Sequence, residues 1–182
     1  MISIRKIIPT LLLGSLGFAP VAGFTAEDLT IDFTYERNVN IGSISSVLSL
    51  PAFGDDRGVS DGNLITEDYR AQRPLADIVH DAIAQGFAKG GVELVESGED
   101  MQVVGTITES DLQMVDLGGV PSIQLTIRTH IQLQNGGRTV WESTLFGRGT
   151  VPESDGMVAA VDAALGRIVR ELFNDDYFII EL

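Results

Sequence analysis

Two histidines, His80 and His130, are the side chains of this sequence best suited to acid–base or metal chemistry. Imidazole serves as a base or a ligand when a carboxylate, a nucleophile or a second ligand stands at a helical or strand spacing from it. His80 falls off the apolar stripe of a predicted helix and His130 on the polar face of a predicted strand, and neither completes a known motif. We therefore expect two ordinary solvated histidines in a protein that is not an enzyme.

One loop is rich in carboxylates and amides, which are possible calcium ligands: Asp55, Asp56, Asp61 and Asn63. An EF-hand needs ligands at alternate positions, a fixed glycine and a late glutamate, but Arg57 and Val59 stand where ligands should follow Asp55. An acidic turn held by aspartate bonds to its own backbone is favoured instead. We predict no metal here, and an exposed, weak ion pair between Arg57 and a neighbouring carboxylate.

Other motifs that bind cofactors or carry nucleophiles are missing from the sequence. Residues 86–91 are rich in glycine but lack the spacing and the Ser/Thr of a phosphate-binding loop. Gly58-Val59-Ser60-Asp61-Gly62 matches the Gly-x-Ser-x-Gly pattern, but it lies in a predicted loop and not at the strand-to-helix turn that a nucleophile elbow requires. The chain has no cysteine, which excludes disulfides and thiolate metal sites. We predict no cofactor.

The last six residues are apolar and favour β-structure, although termini are usually polar and loose. One interpretation is a last strand that docks on the domain's own sheet. The other is an exposed strand that adds to the edge of a partner's sheet. In the second case the candidate partner-binding residues are Tyr177, Phe178, Ile179, Ile180 and Leu182.

The elements that would position these groups follow from hydrophobic periodicity. Alternation predicts a strand over residues 29–35, and the apolar stretch over residues 46–53 predicts a second strand that ends at Pro51. An irregular loop is expected from there to about residue 72. Further strands are predicted over 92–95 and 101–112. Residues 123–149 predict a long antiparallel hairpin that turns at Asn135-Gly136, because Asn-Gly favours the positive φ angles of a tight turn.

Two amphipathic helices complete the pattern. Pro74 begins the first and Gly90-Gly91 ends it, with an apolar stripe of Leu75, Ile78, Val79, Ala82, Ile83 and Gly86. Ser154 or Asp155 is expected to cap the second by accepting its free N–H groups. Its predicted buried stripe comprises Met157, Val161, Ala164, Leu165, Ile168 and Leu172, with Asp162, Gly166 and Arg170 on the wet side. The predicted fold is α+β: a mainly antiparallel sheet with a long hairpin, packed against two amphipathic helices.

The N-terminus predicts export. Arg5 and Lys6 precede a short apolar run and small residues, which is the order of a secretory signal peptide over residues 1–26, cleaved near 23–26. The run is shorter than the roughly 20 residues of a membrane span. Residues 27–182 are then expected to form one periplasmic domain with no direct membrane anchor, associated with the outer membrane, if at all, through protein contacts.

The net charge limits the partners. The whole sequence carries −14, and because Arg5 and Lys6 lie in a segment without acidic residues, the remainder carries −16. Such a surface repels nucleic acid and anionic membranes, which are bound by clustered Lys and Arg. It is typical of a highly soluble protein.

From residue 48 onward the layout resembles the YajG-like family of envelope lipoproteins. The resemblance rests on Asp55-Asp56-Arg57, the helix from Leu75 to Gly90, the segment 101–107, the hairpin turning at Asn135-Gly136 and the helix over 158–172. It implies an α+β envelope domain without enzyme activity, and it extends more distantly to accessory lipoproteins of envelope transport systems. The sequence departs from that family because it lacks the lipid-bearing cysteine.

These observations give three functional hypotheses. The first is a non-catalytic accessory module that binds other envelope proteins through a sheet edge or the C-terminal segment. The second is a carrier of a small ligand or lipid, associated with an envelope transport system and using a cleft between helices and sheet. The third, a hydrolase, would require a nucleophile and a base brought together from distant segments.

Overall fold

The computed structural model of the protein describes residues 25–42, 47–98 and 100–182. The strands are β1 (Glu27–Leu29), β2 (Leu48–Ser49), β3 (Gly54–Asp55), β4 (Tyr69–Ala71), β5 (Leu94–Val95), β6 (Met101–Asp116), β7 (Pro121–Asn135) and β8 (Arg138–Pro152). The helices are α1 (Leu75–Lys89), α2 (Gly156–Phe173) and α3 (Asp176–Glu181). The predicted signal peptide falls, over residues 1–24, outside the described part. No helix in that part is long and apolar enough to cross a membrane.

The main sheet has the order β5-β2-β6-β7-β8, with β3 also paired to β6. The three long strands β6, β7 and β8 pair antiparallel over almost their whole lengths. The short strands β2, β3 and β5 add parallel pairings, and β1 pairs with β4 in a separate two-stranded sheet. The predicted α+β class, mainly antiparallel with a long hairpin and two amphipathic helices, is confirmed.

The turn of the β7–β8 hairpin lies one residue later than predicted. Asn135 pairs with Arg138, so Gly136 and Gly137 are the central residues, with φ of 56° and 76°. Two positive φ angles in succession define a type I′ turn, whose twist matches that of the strands. Asn135 itself ends β7 and does not supply a positive φ.

Both helices bury the predicted stripes against the sheet. The apolar residues predicted for α1 and for α2 are all buried. Gly147 and Gly149 of β8 allow α2 to lie directly on the strand, because a Cβ on Gly149 would be 2.1 Å from the carbonyl oxygen of Ala160. Gly86 allows α1 and α2 to approach each other closely, because a Cβ at this position would lie 2.3 Å from Phe173 and 2.7 Å from Val169.

The start of α2 differs from the prediction. Asp155 occupies the N-cap position, but its side chain makes no capping hydrogen bond. It accepts instead from the hydroxyl of Ser154 at 3.3 Å. The chain enters α2 through a 3₁₀ turn, Glu153–Asp155, and then through Gly156 with φ of 81°.

The segment predicted as a strand over 29–35 is a strand only as far as Leu29. Ile31 and Tyr35 are nevertheless buried while Asp32 and Thr34 are exposed, as the alternation predicts. The backbone partners are side-chain amides: Gln72 accepts from the N–H of Ile31 at 2.9 Å and donates to its carbonyl at 2.8 Å. Gln85 of α1 bonds in the same way to the N–H of Tyr35 and the carbonyl of Phe33.

Candidate functional site

His80 is a half-buried structural residue and not the solvated histidine that was predicted. Its Nδ1 lies 3.1 Å from Oδ1 of Asp81 and its Nε2 lies 3.1 Å from the carbonyl oxygen of Leu50. The ring also packs edge-on against Phe53, with the centroids 5.3 Å apart. Each oxygen can accept from the ring nitrogen beside it, so in either tautomer the ring ties α1 to the chain after β2.

The surroundings of His80 form a cleft of about 480 Å³ that also contains Arg73, Asp81 and Ser97. Burial alone would raise the pKa of Asp81, but the hydrogen bonds from Arg73 and His80 outweigh it and lower the pKa below its ordinary value. Asp81 is thereby held as a carboxylate between two donors. In this cleft, a hydrolase would use His80 as the base that activates the hydroxyl of Ser97. Such a base needs a free ring nitrogen, and both nitrogens of His80 already face Asp81 and Leu50.

His130 lies where the sequence places it, on the polar face of β7. Its side chain is 37% exposed, and Nε2 is 3.8 Å from Oε2 of Glu142 on the neighbouring strand. The prediction of a solvated histidine is confirmed at this position. An exposed pair at this distance is weak.

The acidic loop after β3 is organised by Arg57. Its guanidinium donates to both carboxylate oxygens of Asp55, at 2.8 and 2.6 Å, and to the carbonyls of Gly62 and Leu64. The predicted ion pair is therefore formed, but it is not exposed as expected, because the Arg57 side chain is only 5% accessible. The hydrogen bond from Arg57 is the main reason why the pKa of Asp55 lies below its ordinary value.

The rest of this loop is the predicted turn held by aspartate. Oδ1 of Asp61 accepts from the N–H of Asn63 at 3.0 Å, and its other oxygen pairs with Arg70 at 2.5 Å. Within residues 25–42, 47–98 and 100–182, no group of three or more His, Asp or Glu side chains is arranged to hold a metal ion.

The C-terminal segment is a helix, α3, and both interpretations of it as a strand are wrong. Asp175 explains the helix: its carboxylate accepts from the N–H groups of Tyr177 and Phe178, at 2.9 and 3.0 Å, and so caps the first turn. The helical spacing points Phe178 into the core, where it is fully buried. Its ring packs within 4.8 to 6.2 Å of the rings of Trp141, Phe87 and Phe173.

The five candidate partner-binding residues consequently divide between two faces of α3. Phe178 is buried, and Ile179 and Leu182 pack partly against the core. Tyr177 and Ile180 are 77% and 75% exposed and lie one helical turn apart on the outer face. These last two are the members of the set that are largely exposed.

The outer edge of β8 lies beside this helix and was not identified from the sequence. In the described part, β8 pairs with β7 alone, so its other edge has no strand partner. The N–H of Phe146 points outward, since it donates to Oε2 of Glu171 at 2.9 Å. Thr144 and Arg148 present their backbone groups on the same side, because the hydrogen-bonding direction alternates along a strand. The sequence pattern concealed this edge, because the β-prone residues 177–182 predict a further strand after residue 152.

No family model matches this sequence, and the curated proteins contain no match to it. Solved structures do have the same fold. Protein XCC0632 from Xanthomonas campestris, of family DUF330, is 12% identical with a TM-score of 0.58 over 85% of this chain and 97% of that one. The hypothetical protein CT253 from Chlamydia trachomatis is 10% identical with a TM-score of 0.52, over 76% of this chain and 100% of its own.

A minor lipoprotein from Acinetobacter baumannii is more distant, with 13% identity and a TM-score of 0.45 over 72% of this chain and 91% of that one. At these identities the likeness to the first two proteins concerns the fold alone. The chain therefore has an α+β fold that occurs in bacterial proteins, including one of family DUF330. The resemblance to YajG-like proteins stays a prediction.

Proposed function

We propose that this protein is a non-catalytic accessory module of the bacterial cell envelope that binds another envelope protein through the open edge of β8 and the outer face of α3. The observation that carries the proposal is the coincidence of these two features. A 15-residue strand with one unpaired edge lies against a helix that exposes Tyr177 and Ile180.

The edge supports binding because its outward N–H and C=O groups, apart from the N–H of Phe146 that donates to Glu171, can pair with an added strand. Proteins usually blunt such edges with charges or bulges. β8 has Arg138, Glu142 and Arg148, and an extra residue near Val140 where its register with β7 shifts. These features disfavour indiscriminate pairing, so a partner would need complementary charges as well as a free strand.

The non-catalytic part of the proposal is supported by the geometry of His80, whose ring nitrogens both serve structural contacts. The periplasmic location is supported by the predicted signal peptide. The YajG-like resemblance agrees with a non-catalytic role and with a location in the cell envelope. Because the sequence has no cysteine to carry a lipid, attachment to the outer membrane would depend on protein contacts.

The experiment places a photo-crosslinking residue at Thr144 on the edge of β8 and, separately, at Ile180 on α3, in cells. We expect both positions to crosslink to the same envelope protein. The control position is Asp77 on the exposed side of α1. A capture pattern from Asp77 equal to that from the other two positions would contradict the proposal.

The double variant Tyr177→Ser/Ile180→Ser is expected to abolish the crosslink from Thr144 while leaving the fold intact. Leu117→Ser/Val120→Ser is a matched control, because it removes two other exposed apolar side chains, at the β6–β7 turn. Deleting residues 177–182 is not a suitable test. It removes the buried Phe178, and losing a buried phenylalanine side chain costs about 3–5 kcal/mol.

The hypothesis of a small-ligand or lipid carrier stays a prediction. It requires space between helices and sheet, and where α2 crosses β8 the two backbones are in contact through Gly147 and Gly149. No observation in the described part favours it over the binding module.

A further inference from the structure

We propose that the free outer half of β6 binds an extended, positively charged peptide segment, which adds to the sheet as a further strand. This surface is separate from β8 and α3, and the proposal goes beyond the function proposed above by specifying the chemistry of the occupant.

One edge of β6 is unpaired over its second half. On the side of β6 away from β7, β2 pairs at Gln102 and β3 pairs at Thr106 and Ile107. The N–H of Asp56 makes the last bond, to the carbonyl of Ile107 at 2.8 Å. From Glu109 to Asp116, β6 pairs only with β7 in the described structure. These eight residues span about 26 Å at roughly 3.3 Å per residue, enough for an added strand of similar length.

A groove runs along this edge of β6. Two clefts of about 270 and 320 Å³ lie between β6 and the loop over residues 57–68, and both are lined by Thr66, Glu67 and Ser110. The first cleft also has apolar walls from Val59, Leu64 and Ile65. An added strand needs such a space beside the edge, with apolar contacts for alternate side chains.

The groove is preformed, because its outer wall is fixed. Arg57 ties the loop together through Asp55 and the carbonyls of Gly62 and Leu64. The N–H groups of Ile65 and Thr66 both donate to the carbonyl of Tyr69, at 2.8 and 3.2 Å. A preformed site loses less conformational entropy when a ligand binds.

The groove is negatively charged. Glu67, Asp68 and Asp111 line the clefts, and Asp116 stands at the end of the free edge. None of these four forms an ion pair with a basic side chain in the described part. The nearby cations are already engaged, Arg57 with Asp55 and Arg128 with Glu109 at 2.6 Å.

This charge selects the occupant. A segment with Lys or Arg would be attracted and oriented by the unpaired carboxylates. A second copy of this chain is disfavoured, since pairing β6 with another β6 would bring Glu109, Asp111 and Asp116 of both copies together.

The test uses a fluorescein-labelled octapeptide of alternating lysine and threonine with blocked ends, titrated into the protein at low and at physiological salt. We expect saturable binding, and NMR shift changes in the amides of residues 109–116. A lysine–glycine octapeptide of equal charge is expected to bind at least fivefold more weakly, because it has little tendency to form a strand. Equal affinity of the two peptides would overturn strand addition.

Charge-reversal variants locate the site. Glu67→Lys/Asp111→Lys is expected to weaken binding of the lysine–threonine peptide at least tenfold. Glu36→Lys/Glu181→Lys makes the same change of net charge at two positions that line neither cleft, and it is expected to weaken binding less than twofold. Equal weakening would show attraction by the overall charge and overturn the proposal. If Glu67→Lys/Asp111→Lys fails to fold, NMR mapping of the peptide on the unmodified protein shows whether residues 109–116 bind it.

Two further outcomes separate this site from others. Shift changes along β8 in place of β6, or a concentration-dependent dimer through residues 109–116 without peptide, would each overturn the proposal. Tyr177→Ser/Ile180→Ser is expected to leave peptide binding unchanged. The β6 proposal and the β8 proposal can therefore fail independently of each other.

Discussion

At the scale of single residues, Asp162 departs most from its expected surroundings. The sequence assigns it to the wet side of α2, but it is half-buried and its Oδ1 has no hydrogen-bond partner. Burial raises the pKa of this carboxyl, and the negative charge of Asp32 on the preceding extended segment raises it further. The folded protein therefore holds a proton here more tightly than the unfolded chain does.

The sign of this shift predicts how stability depends on pH. The stabilisation from a protonated Asp162 is fully present below the ordinary aspartate pKa and is lost as the pH rises through the raised pKa. Above the raised pKa the folded state carries an unpaired, half-buried negative charge. We expect Asp162→Asn to raise Tm at pH 7 by roughly 1–2 °C and to have a smaller effect near pH 4.

Thermal unfolding followed by circular dichroism from pH 4 to 8 measures this difference. Asp56→Asn is the control, because Asp56 is exposed and its side chain has no contact that the fold requires. A Tm gain for Asp162→Asn that is as large at pH 4 as at pH 7 would show that charge is not its cause.

At the scale of elements, alternation predicted which residues are buried better than it predicted hydrogen bonding. Ile31 and Tyr35 face the core as an alternating pattern requires, but Gln72 and Gln85 supply the bonds that a neighbouring strand would give. Sequence periodicity reports burial, and it contains no information about a glutamine 41 or 50 residues away. The same limit explains the error at α3, where a cap and a buried Phe178 outweigh β-propensity.

The packing of α2 on β8 depends on a glycine that the sequence left unexplained. A Cβ at Gly149 would meet backbone atoms of Ala160 and Ala164 at 2.1 and 2.6 Å, and backbone cannot move aside as a flexible side chain can. We expect Gly149→Ala to destabilise the fold by about 2–3 kcal/mol, in the upper part of the usual range for overpacking a core. Urea unfolding measures the change in midpoint at constant slope.

Gly166→Ala is the matched control for this prediction. Gly166 lies inside α2, and a Cβ at this position would lie 3.9 Å from the ring of Phe33, an ordinary contact. Replacing a helical glycine by alanine stabilises a helix by up to about 1 kcal/mol. If both variants destabilise the protein equally, close contact at β8 is not the reason.

At the scale of the whole molecule, the fold class, both helices and the long hairpin could be predicted because each depends on local periodicity. The candidate surfaces could not. The β8 edge and the β6 groove are defined by which strands remain unpaired, and the pairing of β3 with Ile107 joins residues more than 50 positions apart in the chain. Of the predicted partner-binding residues, Tyr177 and Ile180 remain exposed because α3 directs Phe178 inward.

The net charge of the molecule gives the last prediction. Residues 25–182 carry −16, because the two basic residues before them, Arg5 and Lys6, are accompanied by no acidic residue in residues 1–24. The ion pairs Arg70–Asp61, Arg73–Asp81 and Arg167–Glu171 are largely exposed and each contribute about 0–1 kcal/mol. Repulsion among the unpaired carboxylates acts on the whole folded state and opposes compaction.

Salt screens both the attraction within the ion pairs and the repulsion among the unpaired carboxylates. The direction of the change in Tm therefore shows which of the two is larger. We expect Tm to rise as NaCl increases from about 0.02 to about 0.3 M, where the Debye length falls from roughly 20 Å to about 6 Å. Glu36→Lys/Glu181→Lys removes two units of negative charge at each position, so its Tm should rise less steeply. A Tm that falls with salt would mean that specific ion pairs outweigh the repulsion, and the acidic surface would then be a stabilising network.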